Sequence, residues 1–303
     1  MSRGRWVIVC LSLLGAVACS SEDANVAATD AGVDARRDTG RPPYDASANQ
    51  PLTCEGACST ELSGEPVPAG WNCIKTLDVQ VNGLDEKPIE GITIMACSPT
   101  RCVHTDTDAA GKVHLVQCHW LTQPSFRLFG FDQFVQFAVP LRNPETSFTF
   151  TGVPVTRLPL AGLPIEIGKA QTLTQNGVTL ELAAGATNAK IDEFAPYQDY
   201  RAIEVPKWLP ELDQGKGLEL IFSIGPQNTV LEPPAKLTLP NSKGWPAGTE
   251  VELFIHNFDQ AKGLPVEIGQ WFPGSGAKVS DDGKTIVGQI GWLSLVGVRR
   301  KAL

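Results

Sequence analysis

Five residues of zinc-ligand type crowd one short stretch of the chain: Cys102, His104, His114, Cys118 and His119. Thiolate sulfur and imidazole nitrogen are the donors that a tetrahedral zinc site takes. Their spacing argues against that use. Cys102 and His104 are two apart and would share a strand face, whereas Cys118 and His119 are adjacent and would point to opposite faces. No Cys-x-x-Cys pair occurs in the sequence. The competing chemistry is oxidation, because Cys54, Cys58, Cys73, Cys97, Cys102 and Cys118 form an even, clustered set with no cysteine after them. Six cysteines make three disulfides in any of fifteen pairings, which sequence does not resolve. Compartment decides between the two readings, since disulfides persist only where thiols are not kept reduced.

The remaining reactive groups are scattered. Carboxylates at Asp106 and Asp108 alternate as in a calcium loop, but the ligand series of an EF-hand is absent. His256 stands in Phe254-Ile255-His256-Asn257-Phe258, where a strand end and a structural role are expected. Asp192-Glu193 and Asp281-Asp282 read as solvated turns, because glycosidase carboxylates must face one another across a cleft. No His-Glu-x-x-His, Gly-x-Ser-x-Gly or phosphate-binding glycine loop occurs. The expectation is no catalytic residue, no metal and no cofactor, with an enzyme or metal-dependent binder using the Cys102–His119 region as the alternative.

Compartment is written at the start of the chain. Arg3 and Arg5 form a charged start, Trp6 to Leu14 an apolar stretch too short to span a bilayer, and Gly15-Ala16-Val17-Ala18-Cys19 follows. The arrangement resembles a bacterial lipoprotein signal, which implies cleavage before Cys19 and a lipid on its sulfur. Ala16-Val17-Ala18 also fits ordinary signal peptidase, which would give a freely secreted protein. Parity separates the two: cleavage after Ala18 discards Cys10 and leaves seven cysteines, and lipid on Cys19 restores an even six. Two or three acyl chains hold a protein on a membrane stably.

From Ser20 to about Pro51 the chain is rich in Ala, Asp, Gly and Pro and nearly free of large apolar residues. Such a segment cannot bury enough surface to offset its conformational entropy and is expected to be a disordered tether. It resembles the spacers that hold lipoprotein domains away from an outer membrane. Ser20, with no Asp at that position, agrees with outer-membrane sorting by analogy to enteric bacteria. The formal net charge is -8, and losing Arg3 and Arg5 makes it more negative. That balance disfavours nucleic acid and anionic lipid headgroups as electrostatic partners.

The elements behind these residues read as strands. Glycine (29) and proline (23) recur at short intervals, which favours all-β modules over helical ones. Leu77-Asp78-Val79-Gln80-Val81 alternates, Asn82-Gly83 turns, and Lys87-Pro88-Ile89-Glu90-Gly91-Ile92-Thr93-Ile94 leads to Thr105-Asp106-Thr107-Asp108-Ala109-Ala110-Gly111-Lys112-Val113-His114-Leu115. This pattern resembles the transthyretin-like, carboxypeptidase-regulatory β-sandwich, a module that carries no zinc ligands and no peptidase activity. Gly91 and Gly111 permit sharp turns, and Asp106 or Asp108 can cap them. The aromatic run from Phe126 to Phe137 is expected to complete that core.

Farther on, Asn176-Gly177-Val178-Thr179-Leu180-Glu181-Leu182 and the stretch from Gly225-Pro226 to Leu237-Thr238-Leu239-Pro240 resemble the β-sandwich of the ankyrin, netrin-receptor and zonula-occludens type. Val178, Leu180 and Leu182, and then Leu237 and Leu239, are expected to face inward, with prolines flanking the strand. Asp282-Gly283 is a strong hairpin signal. Some animal members of that type cleave themselves at a Phe-Ser bond. Here the residues are Trp292-Leu293-Ser294, with no histidine beside Ser294 to take its proton.

The fold expected is all-β, two or three β-sandwich modules after a disordered tether. The divisions are a signal at 1–18, a tether at 19–52, a Cys-rich sandwich at 53–155 and a second sandwich with a β extension at 156–303. The function expected is that of a non-enzymatic outer-membrane lipoprotein of a Gram-negative envelope, on either membrane face, held by lipid on Cys19. Loops and sheet edges would contact protein or glycan, by fold analogy alone. An accessory subunit of a secreted hydrolase is a further alternative.

Overall fold

Alternation along Asn72–Gly83 (β1) is the organising fact of the first half: Leu77, Val79 and Val81 are buried, while Asp78 and Gln80 face outward. The computed structural model describes residues 54–60, 66–99, 101–185, 198–258 and 266–302, so the leader, Cys19, the tether and Asp192-Glu193 lie outside the described residues. Six more strands follow β1: Thr93–Cys97 (β2), Cys102–Asp106 (β3), Lys112–Leu121 (β4), Ser125–Phe129 (β5), Phe137–Pro140 (β6) and Ser147–Val155 (β7). They form a three-stranded sheet, β4-β1-β7, facing a four-stranded sheet, β3-β2-β5-β6. Between the sheets lie Leu77, Val79, Ile94, Leu115, Phe126, Leu128 and Phe150, each side chain worth about 1.5–3 kcal/mol when fully buried. Phe126 stacks on Phe150 at 4.9 Å and meets Phe137 edge-on at 5.9 Å, so this part of the aromatic run is core.

The turns use the residues that sequence singles out. Asp108 Oδ1 accepts from Ala110 N at 2.9 Å and Lys112 N at 2.8 Å, which orders the turn into β4. Gly111 has φ +69°, and a Cβ there would stand 2.4 Å from the carbonyl oxygen of Val81. Both the left-handed backbone and the close approach require glycine.

The second half contains Gln171–Gln175 (β8), Val178–Leu182 (β9), Arg201–Glu204 (β10), a single helical turn Pro210–Asp213 (α1), Leu220–Gly225 (β11), Thr229–Pro240 (β12), Glu250–His256 (β13), Trp271–Val279 (β14), Thr285–Leu293 (β15) and Leu295–Arg300 (β16). Its strands form one sheet in the order β10-β11-β16-β13-β14-β15-β12-β9-β8. The sheet curls until its two ends meet. Gln175 Oε1 accepts from Ala202 N at 2.9 Å, Asn176 Nδ2 donates to Ala202 O at 2.8 Å, and the Tyr200 hydroxyl donates to Val178 O at 3.0 Å. Side chains therefore close what backbone pairing leaves open, and burial raises the Tyr200 pKa, holding its hydroxyl protonated.

Val178, Leu180, Leu182, Leu237 and Leu239 are all buried, as their alternation requires. Gly283, at φ +70°, turns the β14–β15 hairpin through a backbone bond to Ser280 O. One expectation needs correcting: Pro233 and Pro234 lie inside β12 rather than flanking it. They occupy the place where the ladder to β15 breaks between Val230 and Ala235, so their missing N–H groups cost no ladder bond.

The two halves share a core. Leu212, Ile221, Phe254, Trp271 and Leu295 of the second half cluster with Val135, Phe137, Val155 and Leu158 of the first. Along the same boundary His256 Nε2 donates to Ala138 O at 2.9 Å, Gln227 Nε2 donates to Gln136 O at 3.2 Å, and Arg201 donates to Asp132 O at 2.6 Å. These donors cap the outer edge of the β6 region, which would otherwise expose unpaired carbonyls.

Candidate binding face

The six body cysteines are paired as Cys54–Cys118, Cys58–Cys73 and Cys97–Cys102. Two of these bonds pin the segment 54–60 against β1 and β4, where Ser59 bridges to His119 in parallel fashion. Cys97 and Cys102 face one another across the β2–β3 hairpin. The thiols of Cys102 and Cys118 are thereby consumed, and neither is a thiolate ligand. The histidines of that region separate too. His114 Nδ1 pairs with Asp78 Oδ1 at 2.7 Å on the outer face of the three-stranded sheet. His119 is buried on the same strand, with Nδ1 2.7 Å from Ser59 Oγ. His104 is half-buried on β3. No group of three or more metal-ligating side chains is brought together among the described residues.

The other candidates are placed as follows. Asp106 Oδ1 accepts from Thr93 Oγ1 at 2.6 Å, and Asp108 is committed to its turn. Asp282 Oδ1 accepts from Ser280 Oγ and Lys284 N, and those bonds lower its pKa, the Ser280 hydroxyl foremost. Ser294 comes next to His256 in space through the β13–β16 pairing, which sequence distance hides. Its hydroxyl donates to the backbone oxygen of His256 at 2.6 Å, while the imidazole turns away to Ala138. The ring thus gives Ser294 no base. His256 is fully buried, and burial holds its pKa down at about 4 against the partial offset of the carbonyls of Ala138 and Gly269. A neutral imidazole that donates from Nε2 and packs edge-on against Trp271 at 4.9 Å is a structural part of the shared core.

The concavity of interest lies elsewhere, on the outward face of β4-β1-β7. It is a shallow groove of about 430 Å³ bordered by Asp78, Gln80, Asp108, Lys112, His114, Thr149 and Thr151. Register explains the grouping: Asp78 stands opposite His114 and beside Thr149, and Gln80 opposite Lys112. The face is rigid because Leu77, Val79, Val113 and Phe150 anchor the same three strands from beneath. Among the described residues the side chains of Gln80, Lys112, Thr149 and Thr151 hydrogen-bond to no protein group. An amide, an ammonium and two hydroxyls are therefore free to meet a ligand beside the Asp78–His114 pair. Sequence reasoning missed this group. The signal was the polar phase of three alternating strands, and what it lacked was that β1 lies between β4 and β7.

No protein-family model matches the chain, and no curated protein matches it. Among solved structures it is similar to the major pilin subunit of Bacillus cereus, at 11% identity over 75% of this chain and 95% of that one, with a TM-score of 0.23. A proposed carbohydrate-binding protein from Bacteroides uniformis matches at 8% identity over 77% and 100% of the two chains, TM-score 0.22. A DUF3823 family protein from Bacteroides ovatus matches at 10% identity over 73% and 98%, TM-score 0.19.

Proposed function

We propose that this is a non-enzymatic envelope protein, held to the outer membrane through lipid on Cys19, that presents its all-β body, a sandwich joined to a closed nine-stranded sheet, for contact with protein or glycan. The observation that carries the reading is the pairing of all six body cysteines with one another. Cys19 then has no partner in the body, and lipid on its sulfur accounts for the odd thiol left by export. Three disulfides also suit an oxidising compartment outside the inner membrane. The contact face is the polar groove on β4-β1-β7, whose uncommitted amide, ammonium and hydroxyl groups suit a hydrogen-bonding ligand better than an apolar one.

Detergent phase separation of whole cells tests the anchor: the wild-type protein enters the detergent phase and Cys19→Ser enters the aqueous phase. Aqueous partition of the wild type would overturn it. A photo-crosslinking side chain at position 80 tests the face. It captures the ligand in intact cells, and the same group at Lys236, on the exposed surface of β12, does not; equal capture at both would remove the assignment.

A further inference from the structure

Both outer strands of the three-stranded sheet lack a further strand among the described residues, but β4 is bridged at His119 by Ser59 and carries Lys112 and His114, which leaves β7 as its bare, uncharged edge. The outer edge of β6 is capped by the side chains of His256 and Gln227. The ends of the long sheet are tied by Gln175, Asn176 and Tyr200. The β3 edge is five residues long and stapled to β2 by Cys97–Cys102. By contrast β7 pairs only with β1, and from Ser147 to Thr151 its other side meets no strand among the described residues.

Natural proteins blunt such edges with lysine, proline, bulges or a covering segment. Here Ser147-Phe148-Thr149-Phe150-Thr151 is a run of strand-forming residues without charge, proline or glycine, and no charge occurs between Glu145 and Arg157. Ser147, Thr149 and Thr151 are exposed, whereas Phe148 and Phe150 turn into the core. The ladder to β1 is regular from Thr76↔Ser147 to Val79↔Phe150 and shifts only beyond it.

We propose that this edge pairs with the same edge of a second copy of the chain, antiparallel about a two-fold axis centred on Thr149. The run is uncharged and nearly the same read in either direction from Thr149, which makes the edge complementary to itself. In a two-fold pairing each residue meets its own strand's mirror positions, so a charged edge would set like charges opposite one another. In this register Thr149 faces Thr149, Ser147 faces Thr151, and Phe148 faces Phe150. Hydroxyl pairs and aromatic pairs of this kind are favourable across strands. The joined sheets run β4-β1-β7 and then β7-β1-β4 of the second copy, which makes one six-stranded outer face carrying two grooves. A contact of a few strand residues is small beside the ~800 Å² per partner typical of a stable interface, so the pairing rests on the anchor proposed above, which would confine two chains on one surface.

The test uses two full-length copies with different C-terminal tags, co-expressed, cross-linked in intact envelopes and captured through one tag. Wild-type copies recover one another. Thr149→Lys in both copies, or Thr149→Glu in both, lowers recovery by about tenfold, because like charges then face across the axis. One Lys copy with one Glu copy restores recovery to the wild-type level or above. Equal recovery in all four pairings overturns the proposal, and so does no recovery from the wild-type pair. A different protein recovered in place of the second copy, and lost with Thr149→Lys, also overturns it and gives the edge to another partner. Thr149 is exposed, and unchanged thermal unfolding of each variant shows that the fold is intact.

Discussion

The buried imidazole at the junction of the two halves makes the protein's stability depend on pH in a way that one substitution should erase. His256 has a pKa of about 4 in the folded chain, because burial penalises its charged form, against 6.5 for an ordinary histidine. Above pH 6.5 neither folded nor unfolded chain binds this proton, and the residue contributes no pH dependence. As pH falls below 6.5 the unfolded chain takes up a proton that the folded chain refuses, so stability declines with falling pH. The decline ends near pH 4, where the folded chain protonates as well. Between pH 7.5 and 5 the unfolded state passes about 1.5 units below its pKa, at 1.36 kcal/mol per unit, a loss of about 2 kcal/mol. His256→Gln keeps an amide donor at the position of Nε2 for the carbonyl of Ala138 and has nothing to titrate. Urea unfolding of both proteins at the two pH values isolates the effect from that of His104, His114 and His119, which both retain. The wild type should lose about 2 kcal/mol more than the variant on acidification. Equal losses would mean that His256 is reached by solvent and that the junction is not the sealed core described.

Removing disulfides in pairs should cost stability in the order of the loops they close. Chain entropy gives about 4 kcal/mol for Cys54–Cys118, about 3 for Cys58–Cys73 and about 2 for Cys97–Cys102, read by urea unfolding of the three double alanine variants. Gly111→Ala should destabilise by at least about 2 kcal/mol, since its backbone is left-handed and its Cβ would strike Val81 O; a neutral result would disprove the tight turn. Gln80→Ala and Thr151→Ala should shift stability by no more than about 0.5 kcal/mol, because neither side chain bonds to a protein group among the described residues. Leu115→Ala, on the other face of the same sheet, should cost about 2–5 kcal/mol by leaving a cavity.

The strands were legible wherever one face is buried and the other wet. Leu77-Asp78-Val79-Gln80-Val81 and Val178-Thr179-Leu180-Glu181-Leu182 carry a period of two, and both are strands with the expected residues inward. Turn chemistry was equally plain at Asp108, Gly111 and Gly283, where one residue type satisfies a local constraint. Pro233-Pro234 was misread because a break inside a ladder and the end of a strand look alike in sequence. What could not be read is everything set by long-range pairing. The partner of each cysteine, the approach of His256 to Ala138 and the gathering of Gln80, Lys112, Thr149 and Thr151 depend on which strands become neighbours. The parallel placement of β7 beside β1 joins residues about seventy positions apart, and local pattern carries no record of it.

The anchor and the three disulfides are tested together by the intact mass of the protein extracted from membranes, taken with and without alkylation of free thiols. The expected protein begins at Cys19, bears a diacylglyceryl group on that residue, and takes up no alkylating agent until reduced. A chain that begins with an unmodified Cys19, or alkylation at any of Cys54, Cys58, Cys73, Cys97, Cys102 and Cys118 before reduction, would contradict that expectation.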